Sequence, residues 1–417
     1  MASSGRQGAD SPQGRVLCVS SNFPRWAGDS TTPFVLHLAK DLQALGWEVD
    51  VLAPHAEQGT AKEETMDGVR VERFHYLWPQ RAQTVCYHGG ALINLRRNKT
   101  NFLKLPALVA AEWAAVASRL ATRRYDVLHS HWILPQGFTG ALAAAPLRVP
   151  HVLTVHGSDV FALKGRILRG FKRFSLRRAD AVTVNSSATE AVTKEIAPGL
   201  QTLHRIPMGV AAHPIAKDDA HVEELRRRHG LEDGPILVFV GRVVAEKGVG
   251  ELLQAVSRLK NTLPGTTLIV VGDGQQRAEF ELMARSLDIG DRTHFVGWIP
   301  PSEVPKYLAA GDVFVGPSRF EAQGLTFIEA MMASTPVVAT GVGGIIDSVE
   351  HERTGLLVDV AAPEQIARAV ERLVGDAKLR TLIIEAARSR AISSFSRASS
   401  AERFSRLFSD LVGHRGR

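Results

Sequence analysis

The sequence predicts an α/β fold class: two doubly wound halves that follow one another in the chain. Short apolar segments alternate with amphipathic ones from Arg15 onward, which is typical of βαβ units and parallel sheets. The alternation stops in the small and charged residues near 207–219 and starts again at Ile236. The chain has 417 residues, more than one hydrophobic core usually serves, so two domains are expected.

The elements of the first half follow in βαβ order. Residues 15–20 form the first predicted strand, a loop follows at 22–30, and Gly46 ends the first amphipathic helix. A second strand at 49–52 completes the unit and predicts a parallel sheet. Further strands are predicted at 69–71, 126–128, 151–155 and 181–184. The second half repeats the pattern, with strands predicted at 236–240, 268–271, 313–315 and 337–339.

Composition narrows the compartment and the partners. The chain is 45% hydrophobic and carries a net charge of +7, which suits anionic small molecules or anionic lipid. It has no zinc-finger cysteines and no aromatic RNA-binding signature, so nucleic acid is the least supported partner. Cys18 falls in a predicted buried strand far from Cys86, which argues against a disulfide framework and favours the cytoplasm. No apolar run is long enough to span a bilayer, and residues 1–14 lack the apolar core of a signal peptide.

Two glutamates eight positions apart, Glu321 and Glu329, give the strongest functional signal. The buried strand at 313–315 ends before Glu321, and Gly324 permits a tight turn. A helix is predicted to start near Leu325 and to carry Glu329. Both carboxylates then lie at the sheet edge where open α/β sheets bind ligands. Both could instead be ordinary helix-start acids, and their spacing alone does not decide between the two interpretations.

A basic turn follows the predicted strand at 236–240. Arg242 comes directly after Gly241, and Lys247 with Gly248 opens the next helix. Two cations at a helix start suit a diphosphate, through charge-assisted hydrogen bonds and free N–H groups. A solvated basic loop is the alternative, because most charged side chains are simply exposed.

Histidines follow two strands of the first half. His156 comes after the strand at 151–155, and both a structural and a proton-handling role stay open for it. His129 and His131 have a spacing that could hold a metal, but no nearby cysteine or carboxylate completes a zinc set. There is also no Asp-x-Asp motif and no dinucleotide fingerprint. We therefore expect no metal and no cofactor.

Taken together, these motifs resemble those of the retaining glycosyltransferases of family 4, which have two Rossmann-like domains facing across a cleft, the GT-B architecture. The resemblance runs from Arg15 to about Val412 and is most specific from Glu321 through Glu329 to Val358. The polar N-terminus predicts a disordered tail. The resemblance implies an acceptor-side domain, a nucleotide-sugar-binding domain and a C-terminal helix that crosses back to the first domain. The expected boundaries are 1–14, 15–211, 212–395 and 396–417.

The resemblance also implies residue roles. Arg242 and Lys247 would stabilise the leaving diphosphate, an electrostatic role. Glu321 would hydrogen-bond the donor sugar, His156 would contact that sugar, and Glu329 would hold the ribose hydroxyls. These implied catalytic residues are His156, Arg242, Lys247 and Glu321, and the donor-binding residues are Gly28, Gly241, Gly297, Trp298, Ile299, Gln323, Gly324, Leu325, Thr326 and Glu329.

Several positions depart from the family's pattern, and they leave the sugar and the role of the first loop open. Ala322 and Gln323 stand where the family has glycine and an aromatic residue, Met208 replaces asparagine, Ala27 replaces the first of two glycines, and Ile346-Asp347 replaces Pro-Glu.

The function implied is that of a retaining, metal-independent hexosyltransferase. Its donor would be a nucleotide-diphosphate sugar, with UDP-sugar favoured over GDP-sugar. Its acceptor would be a hydroxyl group, lipid-linked or free, in the synthesis of cell-envelope polysaccharide, glycolipid or a related glycoconjugate. A sugar-nucleotide epimerase of similar fold and a non-catalytic nucleotide-sugar-binding protein stay as alternatives.

Two basic, partly amphipathic segments lie in the first half, at 94–105 and 163–178. Such segments can bind an anionic membrane surface, which here would be the inner face of the cell membrane. Ordinary surface helices that pack their apolar side on the domain are the other interpretation.

Overall fold

The computed structural model describes residues 12–29, 31–56, 60–87, 90–162, 165–212, 219–231 and 233–413. Most of the tail expected at 1–14 lies outside these ranges, as does much of the linker expected near 207–219. The first strand begins at Gly14.

The chain divides into two compact units. The first comprises the chain up to Thr183, the segment Thr193–His204 and the chain from Ala401 onward. The second comprises Val184–Val192 and Arg205–Ser400. The domain limits expected at 211 and 395 stay predictions.

An eight-stranded sheet forms the first unit, in the order β3-β4-β2-β1-β5-β6-β7-β8. The strands β1, β2, β4, β5 and β6 pair in parallel, and the edge strand β3 runs antiparallel to β4. Its strands are β1 (Gly14–Val19), β2 (Trp47–Pro54), β3 (Glu63–Met66), β4 (Val69–Phe74), β5 (Val127–His131), β6 (His151–Val155), β7 (Ala181–Val184) and β8 (Leu203–Arg205). The accompanying helices are α1 (Pro33–Ala44), α2 (Ala91–Arg97), α3 (Leu105–Thr122), α4 (Phe138–Leu147), α5 (Ser158–Phe161) and α6 (Arg166–Arg178). The helix α7 (Ser187–Ile196) follows β7, and its residues up to Val192 are counted with the second unit.

A six-stranded parallel sheet forms the second unit, in the order β11-β10-β9-β12-β13-β14. Numbered within the unit, this is the order 3-2-1-4-5-6 of a doubly wound nucleotide-binding fold. Its strands are β9 (Ile236–Val240), β10 (Thr267–Val271), β11 (Thr293–Gly297), β12 (Val313–Gly316), β13 (Val337–Thr340) and β14 (Leu356–Val358). The helices are α8 (Asp219–His229), α9 (Val249–Leu259), α10 (Arg277–Ser286), α11 (Val304–Ala310), α12 (Leu325–Met332), α13 (Ile345–Ser348), α14 (Pro363–Gly375) and α15 (Ala377–Phe395), and the last helix in the described ranges is α16 (Arg397–Gly413).

Both faces of the second sheet are covered. In β9, Leu237 and Phe239 belong to one buried cluster, while Ile236 and Val238 belong to the cluster on the opposite face. Side chains alternate across a strand, so each face needs its own apolar set. This explains why the strand reads as an unbroken apolar run.

The C-terminal helix α16 packs within the first unit from Ala401 onward. The Trp47 ring packs edge-on against Phe408 at 5.6 Å, and its indole N–H donates to Ser405 Oγ at 2.9 Å. No helix in the described ranges has the length and apolar character needed to cross a membrane.

The predicted α/β class, with a parallel sheet in each half, is confirmed. Sequence reasoning missed β3, β8, β11 and β14. β3 and β8 lie at sheet edges and are partly exposed, and β14 has only three residues. Such short or edge strands carry no continuous apolar run by which to recognise them.

Candidate active site

The order of the strands in the second unit creates a binding crevice. β9 and β12 are neighbours, and the helices that follow them belong to opposite halves of the doubly wound fold. Ligands of open α/β sheets bind beyond the carboxyl ends of the strands at such a point. Arg242 and Lys247 follow β9, and Glu321 follows β12.

Close backbone packing joins the two loops. Gly248 has a φ of +72°, and a Cβ there would lie 2.0 Å from the Pro317 carbonyl oxygen, so only glycine fits. The Arg319 N–H donates to the Glu246 carbonyl at 2.9 Å. The basic turn is thereby fixed beside the loop that carries Glu321.

The Lys247 ammonium group forms an ion pair with the Glu321 carboxylate, and both side chains are half-buried. Ser318 Oγ donates to the same oxygen of Glu321 at 3.0 Å. The family resemblance implies a diphosphate role for Lys247 and a sugar role for Glu321, but neither it nor the residue pattern predicted that the two would be paired. Ser318 was missed, because a serine before a loop carries no signal by itself.

Arg242 lines an open cavity of about 300 Å³. Its side chain is exposed and makes no hydrogen bond or ion pair within the described ranges. The cavity brings together four residues that were predicted to contact the donor: Gly241, Arg242, Trp298 and Ile299. Its lining also includes Val271, Gly272, Asp273 and Val304. Gly297, the residue before Trp298, has a φ of +83° and accepts a hydrogen bond from the Gly272 N–H at 2.8 Å.

Glu329 is half-buried on α12, and burial raises the pKa of its carboxyl group to about 7. Its side chain makes no hydrogen bond or ion pair with another described residue. A carboxyl group removed from water without a partner is costly, so the position suits a ligand that supplies hydroxyl donors.

The N-terminus of α12 supplies free donors. Gly324 precedes the helix with a φ of +79°. Among the described residues, the N–H groups of Gly324, Leu325 and Thr326 have no acceptor. These are the orphan donors of a helix start, and they carry its partial positive charge.

Gln323 uses its side chain elsewhere. The amide is buried and bonds both peptide groups of Met208: Oε1 accepts from the Met208 N–H at 3.1 Å, and Nε2 donates to the Met208 carbonyl at 2.8 Å. A donor contact by Gln323 is therefore limited to its own main chain.

A glycine turn after β13 supports the same loop. The Gly344 N–H donates to the Glu321 carbonyl at 3.0 Å. A Cβ on Gly343, whose φ is +57°, would lie 2.0 Å from that carbonyl oxygen. The two glycines predicted this turn from the sequence. In the structure, the turn holds the main chain at Glu321 through the Gly344 hydrogen bond.

His156 lies in the first unit, in a cluster of rings. Its Nε2 is 2.9 Å from His131 Nδ1, and its ring packs at a tilt against Trp132 and Phe34 at centroid distances of 4.6 and 5.1 Å. Burial, and then the neighbouring His131, hold the pKa of His156 well below its usual value. The ring is therefore neutral at physiological pH.

The other histidines of this cluster are also neutral. Burial lowers the pKa of His131 and of His151 to about 3. His129 bonds Thr154 at 2.7 Å, and His151 bonds Ser130 at 2.9 Å. Among the described residues, no group of three or more His, Cys, Asp or Glu is arranged to hold a metal ion.

Arg73 holds the first loop, at 22–30, by a hydrogen bond to its main chain, and sequence reasoning missed this residue. The buried Arg73 guanidinium donates to the Pro24 carbonyl at 2.7 Å. Arg25 and Asp29 form an ion pair at 2.7 Å that closes the loop. Gly28 has a φ of +86°, and a Cβ there would meet no atom within 4 Å, so this glycine borders open space.

Comparison with known proteins agrees with this geometry. The family model described as glycosyl transferases group 1 matches residues 221–390, and the glycosyl transferase 4-like domain matches residues 31–209. The 2-deoxystreptamine N-acetyl-D-glucosaminyltransferase of Streptomyces fradiae is 33% identical over 319 residues, which are 71% of this chain and 74% of that protein. The chain belongs to the GT-B glycosyltransferases.

Another relative and two solved structures are also similar to this chain. The 2-deoxystreptamine glucosyltransferase of Streptomyces kanamyceticus is 35% identical to this glycosyltransferase over 249 residues, 57% of the chain but only 64% of that relative's length. A sucrose-phosphate synthase from Thermosynechococcus elongatus has a similar structure, with a TM-score of 0.78 and 25% identity over 96% of this chain and all of that one. Anabaena HepE in complex with UDP-glucose has a TM-score of 0.73 and 19% identity over 95% of this chain and 100% of that one, which shows the fold alone.

Proposed function

We propose that this glycosyltransferase moves a hexosyl group from a nucleotide-diphosphate sugar to a hydroxyl acceptor, with retention of the anomeric configuration and without a metal ion. The observation that carries the proposal is the convergence at the β9–β12 crevice. Arg242, the Lys247–Glu321 pair, the unpartnered Glu329 carboxyl and the free N–H groups of α12 all belong to this edge.

The donor would occupy the crevice in three parts. The cavity lined by Gly241, Trp298 and Ile299 would take the base. Glu329 would accept hydrogen bonds from the ribose hydroxyls. Arg242 and Lys247 would face the diphosphate, because charge-assisted hydrogen bonds from two cations offset its negative charge.

We favour UDP-sugar over GDP-sugar as the donor. The support is Anabaena HepE, a protein of similar fold whose structure was determined in complex with UDP-glucose. The relatives' names include glucosyl and N-acetylglucosaminyl transfer, so a hexose or N-acetylhexosamine is the first sugar to test.

The chemical step would be a same-face substitution. The bond from the anomeric carbon to the diphosphate oxygen breaks as the acceptor oxygen bonds that carbon, and the departing phosphate takes the acceptor's proton. Arg242 and Lys247 stabilise the charge that develops on the diphosphate. The Glu321 carboxylate is paired with Lys247 and accepts a hydrogen bond from Ser318, so we assign it to a sugar hydroxyl and not to nucleophilic attack.

His156 and Gly28 belong to the first unit and complete the proposal. The neutral His156 ring would hydrogen-bond the donor sugar without adding charge. Gly28, which borders open space, would let a donor phosphate or the acceptor approach the main chain.

The acceptor would be a hydroxyl group, in the synthesis of cell-envelope polysaccharide, glycolipid or a related glycoconjugate. We propose a cytoplasmic enzyme that contacts the inner face of the cell membrane when the acceptor is lipid-linked. The surface formed by residues 93–104 suits this contact. Phe102 and Leu103 are 51% and 84% exposed, and Arg96, Arg97 and Lys99 are exposed beside them.

The second basic segment is less suited to a membrane than the sequence suggested. Lys172 is buried, and Arg169 and Arg173 donate to the main-chain carbonyls of Glu195 and Ile196. These cations stabilise the C-terminal end of α7, where carbonyls need donors. Residues 163–164, at the start of the segment, lie outside the described ranges.

A donor screen tests the proposal. We would follow thermal unfolding with UDP-, GDP- and ADP-sugars and then measure transfer with the donor that stabilises most, since binding to the folded state raises the melting temperature. Incubation with donor alone should yield no isomeric sugar nucleotide, which separates a transferase from an epimerase. Failure of every sugar nucleotide to stabilise the protein would contradict the proposal.

A further inference from the structure

Gln323 lies in the middle of the donor loop, which we define as residues 317–324. Its side chain is only 6% exposed, and the two ends of its amide bond one residue, Met208, at 3.1 and 2.8 Å. These two positions are 115 residues apart in the sequence. The side chain therefore ties the donor loop to a distant segment of the same unit.

The Met208 peptide groups depend on this amide. Met208 is 3% exposed, and within the described ranges its N–H and carbonyl groups have no other partner. A buried main-chain donor or acceptor without a partner costs about as much as a lost hydrogen bond. Glutamine is well suited to the position, because its amide both donates and accepts.

The segment that Gln323 holds is itself fixed. The Val210 N–H donates to the Phe395 carbonyl at 2.9 Å, and the Val210 carbonyl accepts from the Arg397 N–H at 3.0 Å. A Cβ on Gly209 would lie 2.5 Å from Arg397 Cα, so the two stretches are in close contact. The donor loop is thus anchored to a segment that is itself hydrogen-bonded and closely packed within the unit.

A second side chain, Asp347, makes a hydrogen bond next to the neighbouring glycine turn. The Asp347 carboxylate accepts from the Ser187 N–H at 2.6 Å. Asp347 follows the glycine turn, in which the Gly344 N–H donates to the Glu321 carbonyl. Gln323 and Asp347 both stand at positions where this chain departs from the family's pattern, and both hold main-chain groups.

We propose that Gln323 is a positioning residue for donor-sugar binding. Its amide holds the donor loop against residues 206–210, so that Glu321 and the N–H groups of Gly324 and Leu325 keep the geometry that the sugar needs. The expected effect on turnover rests on the proposed function. The two hydrogen bonds between Gln323 and Met208 are independent of it.

The first experiment tests, without any donor, whether the Gln323–Met208 hydrogen bonds hold the loop. Gln323→Met keeps the length of the side chain and removes both hydrogen bonds. Gln365→Met is the matched control, because Gln365 also accepts from a main-chain N–H and donates to an oxygen of the same residue, Asp359, on the edge-strand loop. Amide hydrogen exchange in the loop and in residues 206–210 should rise about tenfold in Gln323→Met, a factor equivalent to about 1.4 kcal/mol, and should stay unchanged in the control.

The second experiment measures how the loss divides between parts of the donor. Gln323→Met should lower kcat and the affinity for UDP-sugar by about tenfold, while the affinity for UDP, which lacks the sugar, changes little. Gln323→Asn, which keeps the amide but is too short to reach both peptide groups, should show the same selectivity if Gln323→Met folds poorly.

Unchanged exchange in the Gln323 variants would overturn the inference. Equal losses of UDP and UDP-sugar affinity would also overturn it, because they would indicate a general loss of structure. If exchange rises as expected but the unmodified protein turns over no sugar nucleotide, the proposed function fails. The conclusion that Gln323 holds the donor loop is then still supported.

Discussion

The Lys247 ammonium group and the Glu321 carboxylate form an ion pair that joins the loop after β9 to the loop after β12. The pair links the residue proposed for the diphosphate to the residue proposed for the sugar. A cation and a carboxylate in contact partly neutralise one another, so loss of either partner leaves the other half-buried and uncompensated. This coupling decides what the substitutions at the site should do.

Lys247→Ala and Arg242→Ala should each lower turnover more than they weaken donor binding. Contacts to the leaving diphosphate strengthen as its charge develops, so their loss falls mainly on kcat. We expect a loss of about 100-fold or more for Lys247→Ala, which also leaves Glu321 unpaired, and a smaller loss for the unpaired Arg242. Steady-state kinetics with the best donor measures both.

Lys260→Ala is the control for this comparison, since Lys260 pairs with Asp288 on the surface of the same unit at 3.3 Å. Its kinetics should match those of the unmodified protein. A raised KM with unchanged kcat in the Lys247 or Arg242 variant would make that residue a uniform binder of the donor.

Glu329→Ala should weaken nucleotide binding. Loss of a charged acceptor for sugar hydroxyls costs about 1.5–3 kcal/mol, which is roughly a 10- to 150-fold rise in Kd. Calorimetry with the preferred nucleotide provides the measurement, and Glu279→Ala, at an exposed position on α10, provides the control. An unchanged Kd would remove Glu329 from the ribose role.

Donor affinity should also depend on pH through Glu329. Burial raises the pKa of this carboxyl to about 7, so the group is protonated below that value and ionised above it. The ionised form accepts ribose hydroxyls better, and binding then favours deprotonation, so affinity should rise between about pH 6 and pH 8. Intact UDP-sugar is the right ligand, because its diphosphate diester does not titrate in this range.

The matched variant for the pH experiment is Glu329→Gln, which keeps the shape and cannot ionise. Its affinity for UDP-sugar should be flat over the same range. If the unmodified protein and Glu329→Gln show the same pH profile, another group is responsible for the dependence.

Turnover should persist in EDTA. Arg242, together with Lys247 whose charge Glu321 offsets in part, supplies positive charge for the diphosphate, which is the role that a divalent cation would otherwise have. Activity assays with and without chelator, followed by added manganese or magnesium, test the expectation. Complete loss in chelator with recovery on metal addition would show that the metal-independent mechanism is wrong.

Anionic vesicles should bind the surface formed by residues 93–104 in a salt-sensitive way. Each basic residue near an anionic surface contributes about 1 kcal/mol, and this attraction decays over a Debye length. Neutralising Arg96, Arg97 and Lys99 together to glutamine should release the protein from vesicles and leave turnover of a soluble acceptor intact. Co-sedimentation at low and high salt is the measurement.

The control for vesicle binding neutralises three exposed cations of the second unit, Arg368, Lys378 and Arg388. That variant should sediment like the unmodified protein. If the unmodified protein stays in solution with anionic vesicles even at low salt, a soluble acceptor becomes the better proposal.

The sequence by itself determined the α/β class and several local features of the site. The apolar run 313–315 gave β12, and Gly324 marked the start of α12 at Leu325, which placed Glu329 in the helix. These features depend on the side-chain period and on the glycine turn, which act over a few neighbouring residues. The glycines at 343 and 344 were visible for the same reason.

Only the tertiary structure decided which of these features meet. Lys247 and Glu321 are 74 positions apart, and Gln323 and Met208 are 115 positions apart. Their contacts follow from the order of strands in the sheet and from close packing at Gly248, which local periodicity does not encode. Burial decided the rest: it hides Lys172, which looks like a surface cation in the sequence, and it raises the pKa of Glu329, because removal from water disfavours the charged form.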